Sequence, residues 1–168
     1  MSQFAVVARE VETVLAVFPD MYGRLVGKRI TASFFLEEVA DGGMHACDYL
    51  LACDMEMDAI PGYGYTSWES GYGDFHCLPD LATLRRATWL PKTALVLCDF
   101  VDADGSAIPV SPRTVLRSVV ERARSMGVEP IVGVELEFYV LRETPQSVLG
   151  KRPSQLVAVD ERPSVYGV

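Results

Sequence analysis

The sequence predicts an α+β fold, and three observations carry that reading. Apolar runs of strand length, such as "VLAVF" (14–18) and "TALVLCDFV" (93–101), are bounded by Pro- and Gly-rich turns. One segment, "SPRTVLRSVVERARSMG" (111–127), carries helix signals at both ends. Strands and this helix follow one another without the regular βαβ alternation of a parallel-sheet protein.

The elements are justified in order. Val14 to Phe18 form an apolar strand, "PDMYG" is a turn with Pro at its start and Gly at its end, and Leu25 to Ser33 return as the second strand of a hairpin. "FFLEEVA" suggests a short helix stopped by Gly42 and Gly43. "CDYLLACDMEMDAI" is expected as a strand, although a short apolar run also suits buried helix. Residues 61–80, "PGYGYTSWESGYGDFHCLPD", mix glycine and aromatics without periodicity and read as a loop, and "LATLRRATWLP" as a connecting segment. "TALVLCDFV" is a buried strand, "DADG" a hairpin turn and "SAIPV" a return strand. In the helix, Ser111 is the N-cap, Pro112 the first helical residue and Gly127 the left-handed terminator. Val115, Leu116, Val119, Val120, Ala123 and Met126 form its apolar stripe. "VEPIVGVELEFYVLR" is a strand over 129–141, and from Glu143 the chain loses pattern.

Composition narrows the function. Hydrophobic residues make up 49% of 168, enough for a packed core. The formal net charge of −8, with no Lys/Arg run, excludes a basic nucleic-acid footprint and a cationic membrane-surface helix. Arg9, Glu10 and Glu12 interrupt the first apolar stretch, which argues against a secretory signal, and no apolar run is long enough to span a bilayer. Cys47, Cys53, Cys77 and Cys98 form no C-x-x-C pair and read as reduced, mostly buried residues of a cytoplasmic protein. His45, Cys47 and Cys53 fit no standard zinc spacing. Gly62-x-Gly64 lacks the third glycine of a dinucleotide fingerprint, and Lys28 lacks the glycine run of a phosphate loop.

"GVELEFYV" (133–140) poses the chemical question. In a strand Glu135 and Glu137 share a face, with Cα atoms roughly 6.6 Å apart. Two carboxylates that close resist joint ionisation unless water, a cation side chain or a metal offsets the charge. A strand with one wet face and a divalent-metal site of the Mg²⁺ or Mn²⁺ kind both satisfy the octapeptide.

Four stretches together resemble the glutamine synthetase family: "FPDMYGRLVGKR" (18–29), "SWESGYGDFHCLPDLATLRRATWLPKTALVLCDF" (67–100), "SPRTVLRSVVERA" (111–123) and "GVELEFYV" (133–140). The "TSWESGYGDF" style is similar to the γ-glutamyl ligase branch, some of whose members use amines or polyamines in place of ammonia. The resemblance implies a β-grasp N-terminal domain over 1–110, then the start of the catalytic α+β domain over 111–168. The latter comprises the helix 111–126, a metal-ligand strand 129–141 and an irregular tail. It implies ATP-dependent ligation of the glutamate γ-carboxylate to ammonia or an amine through γ-glutamyl phosphate, with Mg²⁺ or Mn²⁺ and ATP, in a ring-forming homo-oligomer. By motif match Glu135 would ligate one metal and Glu137 the other. Trp68 and Glu69 would lie on the subunit-interface and amine-entry loop, and Asp74 would be the catalytic carboxylate near the amine. Arg113 is expected as a surface or subunit-contact residue. The expected catalytic domain extends beyond the residues present here, so the isolated chain is expected to be inactive and to associate through residues after about 110. The alternative is a non-catalytic β-grasp module that binds a full-length glutamine synthetase homologue.

Overall fold

Val14, Ala16 and Phe18 alternate with less buried neighbours, the period-two pattern of a strand with one face on a core. The structure, a computed structural model, describes residues 10–159 and bears this out. Strands β1 (Thr13–Pro19) and β2 (Leu25–Thr31) form the expected hairpin. Its turn is held by Asp20: Oδ1 accepts from the Tyr22 and Arg24 amides at 2.9 Å each, and Oδ2 from Arg24 Nε at 2.6 Å. Burial pushes the Asp20 carboxyl up, but these donors outweigh it and hold it below its usual value. Gly27 is required where β2 crosses β1, since a Cβ there would lie 2.2 Å from the Ala16 carbonyl oxygen.

The chain turns directly from β2 into helix α1, residues 32–42. Thr31 caps it by accepting from the Phe34 amide, and the middle, Phe35–Val39, widens into π-type turns. α1 buries Phe35, Val39 and Ala40 against the sheet. Strands β3 (Met44–Cys47), β4 (Asp74–Arg86) and β5 (Thr93–Val101) complete a sheet of order β2-β1-β5-β4-β3. β5 runs parallel to β1, and every other pairing is antiparallel. Phe100 on β5 packs 4.4 Å from Phe18 and 4.5 Å from Phe75, ring centre to ring centre.

Several expectations are corrected. Residues 47–60 are not a strand. Only Met44–Cys47 pair with β4; Asp48–Leu51 form a 3₁₀ turn, and Cys53 bridges Ala59 alone. The burial of Leu51, Ala52 and Cys53 explains the apolar run without a ladder. The loop ends at Asp74, not at residue 80, because Phe75 and Cys77 alternate inward as strand residues. "LATLRR" continues that strand across a bulge between Asp80 and Arg85. "SAIPV" makes one bridge, Val101 to Ala107, and Pro109 has no amide to extend it.

Helix α2 (Pro112–Ser125) begins after Ser111 and ends as expected: the Gly127 amide donates to Arg124 O and the Val128 amide to Ala123 O. Its apolar stripe, however, is open: Val115, Leu116, Val119 and Met126 are all exposed. Residues 129–141 form no ladder of strand length, and 131–140 are exposed throughout. Among the described residues Leu141 bridges Ala158, and the Val140 carbonyl accepts from the Val159 amide at 2.9 Å. An apolar segment becomes a strand only where another strand supplies its hydrogen bonds, and among the described residues none pairs with 131–139.

The chain divides into two compact units between Pro130 and Ile131, and α2 lies in the first with the sheet. The second unit is organised around Glu143. Its carboxylate accepts from Lys151 Nζ at 2.7 and 2.9 Å, from Ser147 Oγ and from the Val157 amide. Lys151 above all, with these other donors, lowers Glu143 to about 2. The end of the irregular tail, 160–168, lies outside the described residues, as do 1–9.

Candidate functional site

The loop 61–73 is built from its own hydrogen bonds. Thr66 is buried and donates to Asp48 Oδ1 at 2.7 Å; the Gly73 amide donates to Asp48 Oδ2 at 3.0 Å. Asp48 thus ties the middle and the end of the loop to the 3₁₀ turn. Ser67 and Ser70 close the tip through their hydroxyls. Trp68 stands at the tip, 84% exposed, edge-on to Tyr72 at 5.5 Å. Tyr72 in turn meets Tyr49 at 6.1 Å, and Tyr65 stacks on Phe75 at 5.7 Å. Glu69 is exposed beside Trp68, and Asp74 is exposed at the first position of β4, opposite Cys47. The loop thus presents an exposed indole beside exposed carboxylates on an internally braced frame.

Glu135 and Glu137 are exposed, and neither side chain makes an ion pair or hydrogen bond among the described residues. Their oxygen donors suit a hard divalent ion, but no three His, Cys, Asp or Glu side chains converge among the described residues. The donor type fits Mg²⁺ or Mn²⁺; the number of ligands does not complete the octahedron such ions require. Asp74 belongs to the first compact unit, and Glu135 and Glu137 to the second.

Sequence reasoning missed the role of Arg113. It is half-buried within its own chain. It lies 19% exposed between two carboxylates, donating from Nε to Asp99 Oδ1 at 2.7 Å and from Nη2 to Asp80 Oδ2 at 2.6 Å. Arg117 joins from the next turn, donating to Asp99 Oδ2 at 2.8 Å. Helix α2 is thus fastened to β4 and β5 by its polar face, which leaves the apolar stripe outward. Burial pushes the Asp99 carboxyl up, but the two arginines outweigh it and hold it below its usual value of 3.8. Spacing alone gave no signal, because Asp80, Asp99 and Arg113 meet only through the sheet.

Arg113→Ala is expected to lower unfolding stability by about 2 kcal/mol, the scale of lost charged hydrogen bonds in a half-buried site. Asp99 has a depressed folded value, so its contribution is present above pH 3.8 and is lost as pH falls below it. Urea titrations of both proteins at pH 7 and in acid check this: the difference between them should shrink in acid.

Comparison with known proteins gives this architecture its family. The profile described as "Glutamine synthetase, catalytic domain" matches residues 109–165. A γ-glutamylethanolamide synthetase of Streptomyces coelicolor is 48% identical over 83% of this chain and 30% of its own length. A glutamate–isopropylamine ligase of a Pseudomonas species is 31% identical over 94% of this chain and 34% of its own. Among solved structures, one titled as a novel glutamine synthase homolog superposes with a TM-score of 0.57 at 24% identity, covering 69% of this chain and 27% of that one, which speaks to fold alone. The chain belongs to the glutamine synthetase family, and its likeness is to the γ-glutamyl ligases within it. It spans about a third of the length of these curated relatives.

Proposed function

We propose that this chain forms the β-grasp domain and the opening of the catalytic domain of an ATP-dependent ligase joining the glutamate γ-carboxylate to a small amine. The observation that carries this is the 48% identity to a γ-glutamylethanolamide synthetase, spread over 83% of the chain. The parallel pairing of β1 with β5 beneath a crossing helix supports the β-grasp reading, and the catalytic-domain match beginning at residue 109 supports the division near 110.

In this reading the γ-carboxylate attacks the terminal phosphoryl of ATP, giving ADP and γ-glutamyl phosphate. The amine nitrogen then displaces phosphate, losing a proton as the amide forms. Such transfers need positioning and charge neutralisation more than covalent help from the protein. Bound Mg²⁺ or Mn²⁺, held in part by Glu135 and Glu137, would supply that neutralisation. Trp68 and Glu69 would face a neighbouring subunit of a homo-oligomer, with Asp74 near the entering amine; the exposure of all three supports this.

The test is a graft of residues 13–141 into the corresponding segment of the Streptomyces relative. The graft is expected to release phosphate with glutamate, ATP and ethanolamine, faster than with ammonia, while the 168-residue chain alone releases none. A folded graft that prefers ammonia, or that turns over nothing, would overturn the assignment. A second reading, a non-catalytic module binding a full-length relative, draws on the self-contained core of the sheet and α1. Co-purification of the chain with such a relative, alongside an inactive but folded graft, would favour it.

A further inference from the structure

The chain has two histidines in 168 residues, and the fold sets them face to face. His45 on β3 is the direct cross-strand partner of His76 on β4. Met44, Ala46, Phe75 and Cys77 turn into the core, so His45 and His76 occupy the opposite face, with Cys47 and Asp74 one pair further along it. Cys53, which the sequence places near His45 and Cys47, is elsewhere: it is buried, with its thiol on the Tyr49 carbonyl at 3.1 Å.

We propose that His45 and His76 form a two-imidazole chelate for a borderline divalent transition-metal ion of the Zn²⁺ kind, distinct from the carboxylate pair at 135 and 137. Two features of geometry support it. The ring centres are 5.0 Å apart with planes inclined by 36°, tilted rather than parallel. A metal bound at about 2.05 Å lies roughly 3.2 Å from a ring centre, so two imidazoles on one ion hold their centres about 4.5–5.2 Å apart at octahedral to tetrahedral angles. The second feature is the outer contact. His76 Nε2 lies 2.7 Å from the Gly42 carbonyl oxygen. A carbonyl only accepts, so Nε2 carries a proton, and in the neutral ring Nδ1 then keeps the lone pair a metal needs. Ligating histidines commonly have this arrangement, in which the other ring nitrogen donates to a carbonyl and fixes the ring. Gly43 makes room for it, since a Cβ there would meet His76 Nε2 at 2.5 Å.

No third His, Cys, Asp or Glu among the described residues closes a protein-only cage. Water fills the remaining positions, and the Asp74 carboxylate on the same face adds attraction for a cation. Imidazole selects Zn²⁺, Ni²⁺ or Cu²⁺ over Mg²⁺, which prefers oxygen and holds its waters.

The experiment is calorimetric titration of the untagged chain with Zn²⁺ in the presence of excess Mg²⁺. One ion per chain is expected, with H45A weakening binding at least tenfold and C47S leaving it unchanged. His45 is exposed, so H45A removes a ligand without touching the core. Thermal melts add a second readout: Zn²⁺ should raise the melting temperature of the natural chain and of C47S but not of H45A. Zn²⁺ binding that survives in H45A, that vanishes in C47S, or that is absent at millimolar concentration in the natural chain would overturn the site.

Discussion

Phe100→Ala is expected to cost the sheet about 3–5 kcal/mol, the range for truncating a buried aromatic. Phe100 sits on β5, which is bordered by β1 on one side and β4 on the other. Its ring, 1% exposed, touches Phe18 of the hairpin and Phe75 of β4 at once. Removing it therefore opens a cavity where the hairpin and β4 share a packing partner, and the neighbours cannot collapse into it without leaving their own ladders. Domains of this size are stable by only about 5–15 kcal/mol, so the loss is a large fraction of the total. Phe100→Leu, which keeps most of the volume, should cost under about 1.5 kcal/mol. Equilibrium urea unfolding followed by circular dichroism reads both values. A loss below about 1 kcal/mol for Phe100→Ala would mean that the aromatic cluster does not hold the sheet together.

What the sequence revealed follows from the range of each signal. The hairpin was legible because its turn chemistry, Pro19 to Gly23, sits between two apolar runs. α2 was legible because Pro112 at its start and Gly127, with φ 78°, past its end act on adjacent backbone, although the Ser111 side chain makes no capping bond. β5 was legible because four consecutive buried residues, Thr93 to Val96, mark a strand covered on both faces. The failures involve partners far along the chain. Asp74 to Asp80 look like loop until Cys77 is seen opposite Phe100. The apolar stripe of α2 suggested a buried face, yet its polar face docks, because Asp80 and Asp99 wait on the sheet for Arg113 and Arg117. The His45–His76 pair was invisible for the same reason: it exists only in the β3/β4 register. Residues 129–141 erred the other way: the pattern states a preference for strand, and a ladder needs a second strand to receive it.

Glu135→Ala and Glu137→Ala, made separately in the grafted ligase, are each expected to lower ATP-dependent phosphate release roughly a thousandfold, the scale of losing transition-state charge stabilisation. The same substitutions in the 168-residue chain should leave stability within about 0.5 kcal/mol, because both side chains are exposed and unpaired among the described residues. That contrast is what separates a ligand from a structural acid. A carboxylate kept for folding would show its cost in the chain itself. One kept for a cation shows nothing until the cation and nucleotide are there. Glutamine at either position tests the charge at nearly constant shape. If the role is coordination, Glu135→Gln and Glu137→Gln should raise the Mg²⁺ or Mn²⁺ concentration needed for half-maximal rate. A graft whose metal dependence is unchanged by either glutamine would leave the two acids as no more than a wet face.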